Sequence, residues 1–592
     1  MKMSVTDLHH LYRQGSVTPR TLVDQLRLRI QAHADHHAWI AVLDNRALKP
    51  LLDRLDGHSP DTLPLFGVPF AIKDNIDLAG VPTTAACEGV DRLPTESATI
   101  VSKLIEAGAI PLGKTNMDQF ATGLVGTRSP FGVTRNAFDP AFISGGSSSG
   151  SAVAVALGEV CFALGTDTAG SGRVPAAFNN LIGIKPTRGR WSCHGIVPAC
   201  RTLDCPSLFV LDPRDASIIS SVLEGPDPCD PYSRRGREQV LNVESLRIAV
   251  PRADQMRFFS DTEYEAAFAR VVNQWRESGA SIIEIDFSPF SEAAALLYQG
   301  PWVTERWLAA EATLRDAPET VLPVIREIIG MAGERRAAEY FAAEYRLAEL
   351  RQQVNTMFSD VDVLLTPTAG HHYRISEINE APIARNSELG YYTNFMNLLD
   401  LCAVAVPAGF TAAGMPFGMT LSAPAFADAS LLALMQRWLS QYDQPIGACG
   451  YRLRDAAAPP LPGRIEVAVC GAHLSGMPLN HQLTSRGGWL VKAAHSAPCY
   501  RLYALPGGPP WRPAMVRADA GAAIELEVWS LPEAEFGSFV AAIPAPLGIG
   551  KVELADGSRV SGFICEQGGV QDAEDITVFA GWRAYMASRE RV

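Results

Sequence analysis

The 592-residue chain carries 51 Lys and Arg against 64 Asp and Glu, a net charge of −13, so it lacks the positive field that attracts polyanions and no nucleic acid partner is expected. Its 47% hydrophobic and 19% charged content belongs to a chain that buries large cores, which excludes wholesale disorder, collagen-like structure and coiled coil. At about 150 residues per domain, and because one large α/β unit absorbs several such shares, two or three domains are expected.

The N-terminal run MKMSVTDLHHLYRQG has no apolar signal core, and no stretch reaches the roughly 18 apolar residues of a membrane helix; a cytoplasmic protein with no membrane partner is expected. Leu8, Leu11, Leu22, Val23, Leu26, Leu28 and Ile30 recur at helical spacing, with Ser16 and Thr18 as caps between them, predicting two short amphipathic helices. From Pro64 to about Gly195, strands such as GVPFAIK and VCFALGTD alternate with small-residue helices such as SAVAVALGE, the pattern of an α/β sheet with helices packed on it. From about Ser260 to Met357 the chain reads as helical, and buried strands return at VDVLLTPT and LCAVAVPAGF. The segment DAAAPPLPG, Asp455 to Gly463, is a stiff exposed connector. It divides the chain into residues 1–455, a linker at 456–464, and residues 465–592. In the last part IEVAVC, GWLVKA, YRLYALPG, AIELEVWSL, GIGKVELADG and RVSGFIC read as strands of a smaller, β-rich domain.

The eleven cysteines are scattered and never in a C-x-x-C spacing, as suits reduced, buried thiols. Among the twelve histidines there is no H-E-x-x-H or other ligand spacing, so no metal is expected. Two glycine-serine clusters stand at loop-to-helix junctions, GGSSSGS (Gly145 to Ser151) and DTAGSGR (Asp167 to Arg173). Serine caps and glycine turns are one reading of them. Neither has the G-K-[ST] ending or the G-x-G-x-x-G spacing of a nucleotide loop. A serine nucleophile flanked by backbone N–H donors is another reading, and it needs a base. His194 is the one histidine near either cluster, so a lysine held neutral is the alternative base. Lys73, ending the apolar strand GVPFAIK, fits that role; moving its pKa from about 10.4 toward 7 takes roughly 4 kcal/mol of desolvation. The competing reading of Lys73 is a buried ion pair with Asp74 or Asp77.

Together, Lys73 and the runs GGSSSGSAVAVALG and ALGTDTAGSGRVPAAFNNLIGIKPT resemble the amidase-signature hydrolases, as do GKTNMDQFATG, DVLLTPT and AVAVPAGF; the resemblance covers roughly residues 20 to 450. It implies an amidase-signature fold: a large mixed β-sheet core covered by helices on both faces. It also implies a Ser-cis-Ser-Lys triad of Lys73 as base, Ser147 after a cis peptide bond as relay, and Ser171 as nucleophile. Backbone N–H groups of Thr168, Ala169, Gly170 and Ser171 would form the oxyanion hole, with Asp167 and Arg173 as a structural pair. No cofactor is implied.

Gly-Ser-Gly-Arg, GGSSSG and GKTNMDQFATGLVGTRSPFG look like the allophanate hydrolases within this family. That resemblance implies cleavage of allophanate to ammonia and carbon dioxide in urea degradation, downstream of a biotin-dependent urea carboxylase, by a homodimer. Tyr298 and Arg306 match the residues that hold the substrate carboxylate, and would share one side of a helix if the Gly300-Pro301 break does not rotate it. Arg306 on a solvated helix face beside Glu305 and Glu311 is the competing reading. Gly123 is expected to line the pocket, where backbone approaches a small ligand. The last domain resembles the C-terminal domain of allophanate hydrolases, with a gamma-glutamyl-cyclotransferase-like α+β fold, through GAHLSGMPLNHQL and YRLYALPGGPPWRP. The resemblance links it to decarboxylation of N-carboxycarbamate, with His481 and then His473 as proton carriers; support of a dimer is the alternative. Two rival functions stay open: another amidase of this family, including the glutaminase component of a tRNA-dependent amidotransferase, and a non-catalytic binding protein.

Overall fold

The computed structural model describes residues 3–239, 241, 246–453, 464–486, 488–555 and 557–589. The chain forms two compact units, with a break after residue 457. The connector expected at 456–464 lies outside the described residues except for Arg464, where the second unit's first strand begins.

The first unit opens with the expected pair of helices, Val5–Arg13 and Pro19–Ala32. Ser4, not Ser16, caps the first by accepting from the Asp7 N–H. Thr18 caps the second, with Thr21 returning the bond and Pro19 in the first turn. Leu22, Val23, Leu26 and Ile30 are buried, whereas Leu28 is 68% exposed. At 100° per residue, Leu28 falls roughly opposite the stripe that Leu26 and Ile30 share.

Eleven strands build one mixed sheet. In chain order they are β1 (Trp39–Val42), β2 (Pro69–Lys73), β3 (Ile110–Thr115), β4 (Phe162–Asp167), β5 (Ile182–Lys185), β6 (Cys205–Val210), β7 (Arg247–Pro251), β8 (Ser281–Ile285), β9 (Val363–Pro367), β10 (Leu401–Phe410) and β11 (Pro416–Pro424). Their order across the sheet is β1-β3-β2-β4-β6-β5-β10-β11-β9-β7-β8. The stretch 260–357, expected to be helical, is interrupted by β8, an edge strand parallel to β7. Its sequence SIIEI is rich in β-branched residues and follows the helix end at Ser278-Gly279, so strand propensity wins there over the helical text on either side.

Strands β2, β3 and β4 are parallel neighbours buried along their whole length. Phe70 stacks on Phe162 across the β2–β4 pair at 5.1 Å. The helix Ser149–Ala156 lies against β2, β3, β4 and β6, and every residue of it is buried. That explains its run of Ser, Gly, Ala and Val: a Cβ at Gly150 would stand 2.6 Å from the Asn116 backbone nitrogen, so the helix rests on backbone. Because β2 and β4 run in the same direction, their C-terminal residues Lys73 and Asp167 emerge at the same end of the sheet, beside the start of this helix.

The second unit contains a five-stranded sheet and a three-stranded sheet. The strands are β12 (Arg464–Val469), β13 (Trp489–His495), β14 (Tyr500–Ala504), β15 (Pro513–Arg517), β16 (Glu525–Pro532), β17 (Leu547–Glu553), β18 (Arg559–Cys565) and β19 (Glu574–Asp575). All six expected strands are present; β15 and the two-residue β19 were not legible, the first because prolines crowd the text before it. Helices Glu533–Ala541 and Trp582–Arg589 make the unit α+β. Its core gathers Val467, Leu502, Leu526, Val528 and Trp529. Among the described residues no helix is long and apolar enough to cross a membrane.

Candidate active site

Lys73 is fully buried at the end of β2, and its Nζ is hydrogen-bonded to Ser147 Oγ at 2.8 Å and to Thr166 Oγ1 at 2.7 Å. The competing ion pair does not form. Asp74 lies 3.3 Å from Lys114 and accepts from the Thr84 backbone at 3.1 Å, while Asp77 is bound by Arg92, whose Nε donates at 2.9 Å. Burial pushes the Lys73 amine down to about 7; the negative charges of Asp118, Asp204 and Asp167 pull the other way, and Arg306 adds to the lowering. A large fraction of Lys73 is therefore uncharged at neutral pH.

Ser147 is buried and follows a cis peptide bond from Gly146. Its carbonyl accepts from the Asp118 N–H at 3.1 Å. The next residue stitches the two serine clusters together. Ser148 Oγ donates to the Thr166 carbonyl at 3.1 Å and accepts the Thr166 N–H at 3.2 Å. The Ser148 N–H donates to the Ser171 carbonyl at 3.4 Å. Ser171 is 2% exposed, and its hydroxyl makes no hydrogen bond among the described residues.

The loop from Asp167 to Arg173 is held by one ion pair at 2.8 Å between two side chains with no exposure. The Asp167 carboxylate also accepts the N–H of Gly170 at 2.9 Å and of Gly172 at 3.0 Å. Burial pushes this carboxyl up, but Arg173 and these bonds more than offset it and leave it below its ordinary range. The expected set of oxyanion donors is therefore corrected: the Gly170 N–H is spent on Asp167. The N–H groups of Thr168, Ala169 and Ser171 have no acceptor among the described residues. Gly170 is a glycine for another reason, since its φ is +128° and a Cβ there would meet Thr393 Cβ at 2.7 Å. The Thr168 hydroxyl is bound by Asp204, which also accepts the Ala199 and Cys200 N–H groups at 2.8 and 3.1 Å.

Tyr298 and Arg306 do not share a helix: one helix ends at Tyr298 and the next runs Val303–Asp316, broken at Gly300-Pro301. They meet nevertheless, with the Arg306 guanidinium 4.9 Å from the Tyr298 ring centre. Arg306 is 1% exposed, which removes the solvated-face reading, and Glu305 is spent on Thr202, whose N–H it accepts at 2.9 Å. Arg306 Nη1 donates to the Ala121 carbonyl at 3.2 Å and to Thr122 Oγ1 at 3.0 Å. Its Nε and Nη2 have no partner, and no carboxylate pairs with it among the described residues. Gly123 follows directly on Thr122, but its close backbone approach is to a side chain rather than to open space: a Cβ would stand 2.6 Å from Asp118 Oδ2. Thr166, Asp118 and Asp204 were not singled out from sequence. Asp118 sits inside the quoted run GKTNMDQFATG and Thr166 inside ALGTDTAG, so a signal existed only in the motifs as wholes.

In the second unit the two histidines differ. His481 is exposed and its Nδ1 lies 2.9 Å from the Pro478 carbonyl. His473 stacks on Phe563 at 4.9 Å, meets Gln482 Oε1 through Nε2 at 3.0 Å, and lines a cavity of about 50 Å³ with Cys470 and Arg512. Burial lowers its pKa. Of the two candidates, His473, and not His481, lines this cavity.

An amidase family model matches residues 21–432. The chain belongs to the amidase family. A model of the allophanate hydrolase C-terminal domain matches residues 465–587 of this amidase. Over 570 residues it is 42% identical to the urea amidolyase of Saccharomyces cerevisiae (strain ATCC 204508 / S288c), covering 93% of this chain and 31% of that protein. The chain thus spans about a third of the length of the curated urea amidolyases it matches. It is 32% identical over 496 residues to a glutamyl-tRNA(Gln) amidotransferase component of Synechococcus sp. (strain CC9311), covering 77% of this chain and 100% of that one. A solved structure of Kluyveromyces lactis allophanate hydrolase superposes with a TM-score of 0.81 at 41% identity, covering 99% of both chains.

The buried amine makes stability respond to pH, and activity too where Lys73 is the base. For hydrolysis of an uncharged amide, kcat/KM should rise with pH through an inflection near 7 as Lys73 loses its proton. Lys73→Met should lower it by about 10²- to 10⁴-fold. In the unfolded chain Lys73 stays charged to about 10.4, so the net cost of keeping it charged in the fold, about 4 to 5 kcal/mol, is full below pH 7 and fades as pH rises toward 10.4. Lys73→Met should therefore gain stability at pH 6 and lose that gain by pH 10 in denaturant titrations; a pH-independent difference would count against a depressed pKa. Asp167→Asn leaves Arg173 buried and unpaired and should cost about 3 to 5 kcal/mol in the same assay. A loss below about 1 kcal/mol would mean the pair does not hold the loop.

Proposed function

We propose that this amidase hydrolyses allophanate to ammonia and carbon dioxide in urea degradation, with Lys73 as base, Ser147 as relay and Ser171 as nucleophile. The observation that carries the substrate assignment is Arg306, a fully buried guanidinium with two unfilled donors and no carboxylate partner among the described residues. A buried cation with open donors is costly unless an anion fills the space beside it. Its influence on the Lys73 amine puts that charge within electrostatic range of the reacting groups. Allophanate has the matching form: a small planar carboxylate, suited to an arginine fork, a short distance from a terminal amide.

In this mechanism neutral Lys73 takes the proton of Ser147 as Ser147 takes that of Ser171. Ser171 Oγ then adds to the amide carbonyl. Negative charge on the carbonyl oxygen is met by the unspent N–H groups of Thr168, Ala169 and Ser171. The proton returns along the same hydroxyl path to the leaving ammonia, and water then releases the acyl group by the reverse relay. The product, N-carboxycarbamate, still has to lose carbon dioxide; His473, in its cavity with Arg512, is the proton carrier we assign to that step, in place of His481. A biotin-dependent urea carboxylase as the source of allophanate, a homodimer and a cytoplasmic location belong to the same proposal. The similarity to Kluyveromyces lactis allophanate hydrolase over both units supports it over the amidotransferase reading, whose matched relative covers 77% of this chain.

The test is ammonia release by the full chain from allophanate and from acetamide. Allophanate should be favoured in kcat/KM by about a hundredfold or more. Ser171→Ala should abolish release. Arg306→Met should raise KM for allophanate about tenfold or more while changing acetamide hydrolysis less than about threefold. Preference for acetamide, or equal losses on both substrates, would refute the assignment.

A further inference from the structure

Arg128 is a second buried guanidinium beside the first. It is 3% exposed, makes no ion pair among the described residues, and its Nε has no partner. Burial acts against its charge and the nearby Asp118 carboxylate offsets this most, while the Arg306 charge adds to the lowering, which places the two guanidinium groups in the same electrostatic neighbourhood. The two arginines share one residue: Arg128 Nη1 donates to the Thr122 carbonyl at 2.9 Å, and Arg306 Nη1 donates to the Thr122 hydroxyl at 3.0 Å. Arg128 Nη2 reaches the Pro382 carbonyl at 2.6 Å, and so braces this turn against a distant segment of the chain. The nearest acid is already committed. Asp118 accepts the backbone N–H groups of Val125, Gly126 and Arg128 at 3.0 to 3.1 Å.

Two like charges held near one another out of water, neither in an ion pair among the described residues and with Asp118 only partly offsetting the burial of Arg128, oppose one another. An anionic ligand reverses that cost, and a neutral ligand of the same shape does not. We propose that Arg128 is a specificity-determining positioning residue: through Thr122 it fixes the wall on which Arg306 rests, and with Arg306 it makes the site select amides that carry a carboxylate. The proposal rests on the reading of Arg306 as the carboxylate-binding group. It extends selectivity to a residue that touches Thr122 rather than the substrate.

The test uses full-length Ser171→Ala protein, so that ligand is not consumed, and calorimetric affinities for malonamate, which has one carboxylate, and malonamide, its neutral counterpart. Arg128→Gln and Arg128→Met should each weaken malonamate about tenfold or more and malonamide less than about threefold, and Arg128→Lys should recover most of the malonamate affinity by restoring the charge. Either neutral variant suffices if the other does not fold, with melting curves confirming the folded state. Unchanged malonamate affinity, or equal weakening of both ligands, in the Arg128 variants while Arg306→Met remains selective would overturn the role of Arg128 and leave the Arg306 reading standing. No preference for malonamate in the parent protein would overturn both.

Discussion

Everything at this site depends on surrounding the Lys73 amine with hydroxyls rather than carboxylates. Its two hydrogen-bond partners are Ser147 and Thr166, both neutral. Five acids belong to the same region, and each is engaged elsewhere. Asp74 goes to Lys114, Asp77 to Arg92 and Asp167 to Arg173. Asp118 is spent on backbone N–H groups, and Asp204 on Thr168 and two more N–H groups. Burial also pushes the Asp204 carboxyl up to about 6. Were any of these carboxylates free to pair with Lys73, the amine would stay charged and could not accept a proton.

The same diversion shapes the loops. Asp167 closes the glycine-serine loop by taking the N–H of Gly170 and Gly172, while those of Thr168, Ala169 and Ser171 have no acceptor among the described residues. Asp118 closes the turn through Arg128 in the same manner, and its carboxylate occupies the room a Cβ would need at Gly123. One arrangement is thus used twice: a buried carboxylate folds a short loop around itself by accepting backbone N–H groups, and at Asp167 the Arg173 charge meets most of the cost of burial.

What could be read in the sequence follows from how local each signal is. Lys73 at the end of an apolar strand, Ser147 ahead of a small-residue helix and Ser171 in a glycine turn each carry their context within a few residues. The Asp167–Arg173 pair lies within one loop and was legible for the same reason. The meeting of Tyr298 with Arg306 was legible, but not its geometry, because Gly300-Pro301 splits one expected helix into two. Arg128 gave no sign, since its meaning lies in contacts with Pro382 and with the surroundings of Arg306, far along the chain. His473 and His481 look alike as text; Phe563 and the cavity wall, contributed by other strands and turns, tell them apart.

The charge state of one nitrogen is therefore the point on which this account stands. Neutron diffraction from deuterated crystals at pD 8.5 would count the deuterons on Lys73 Nζ directly. Two deuterons, with a Ser147 deuteron directed at the nitrogen, are the predicted result. Three deuterons on Nζ at that pD would contradict it.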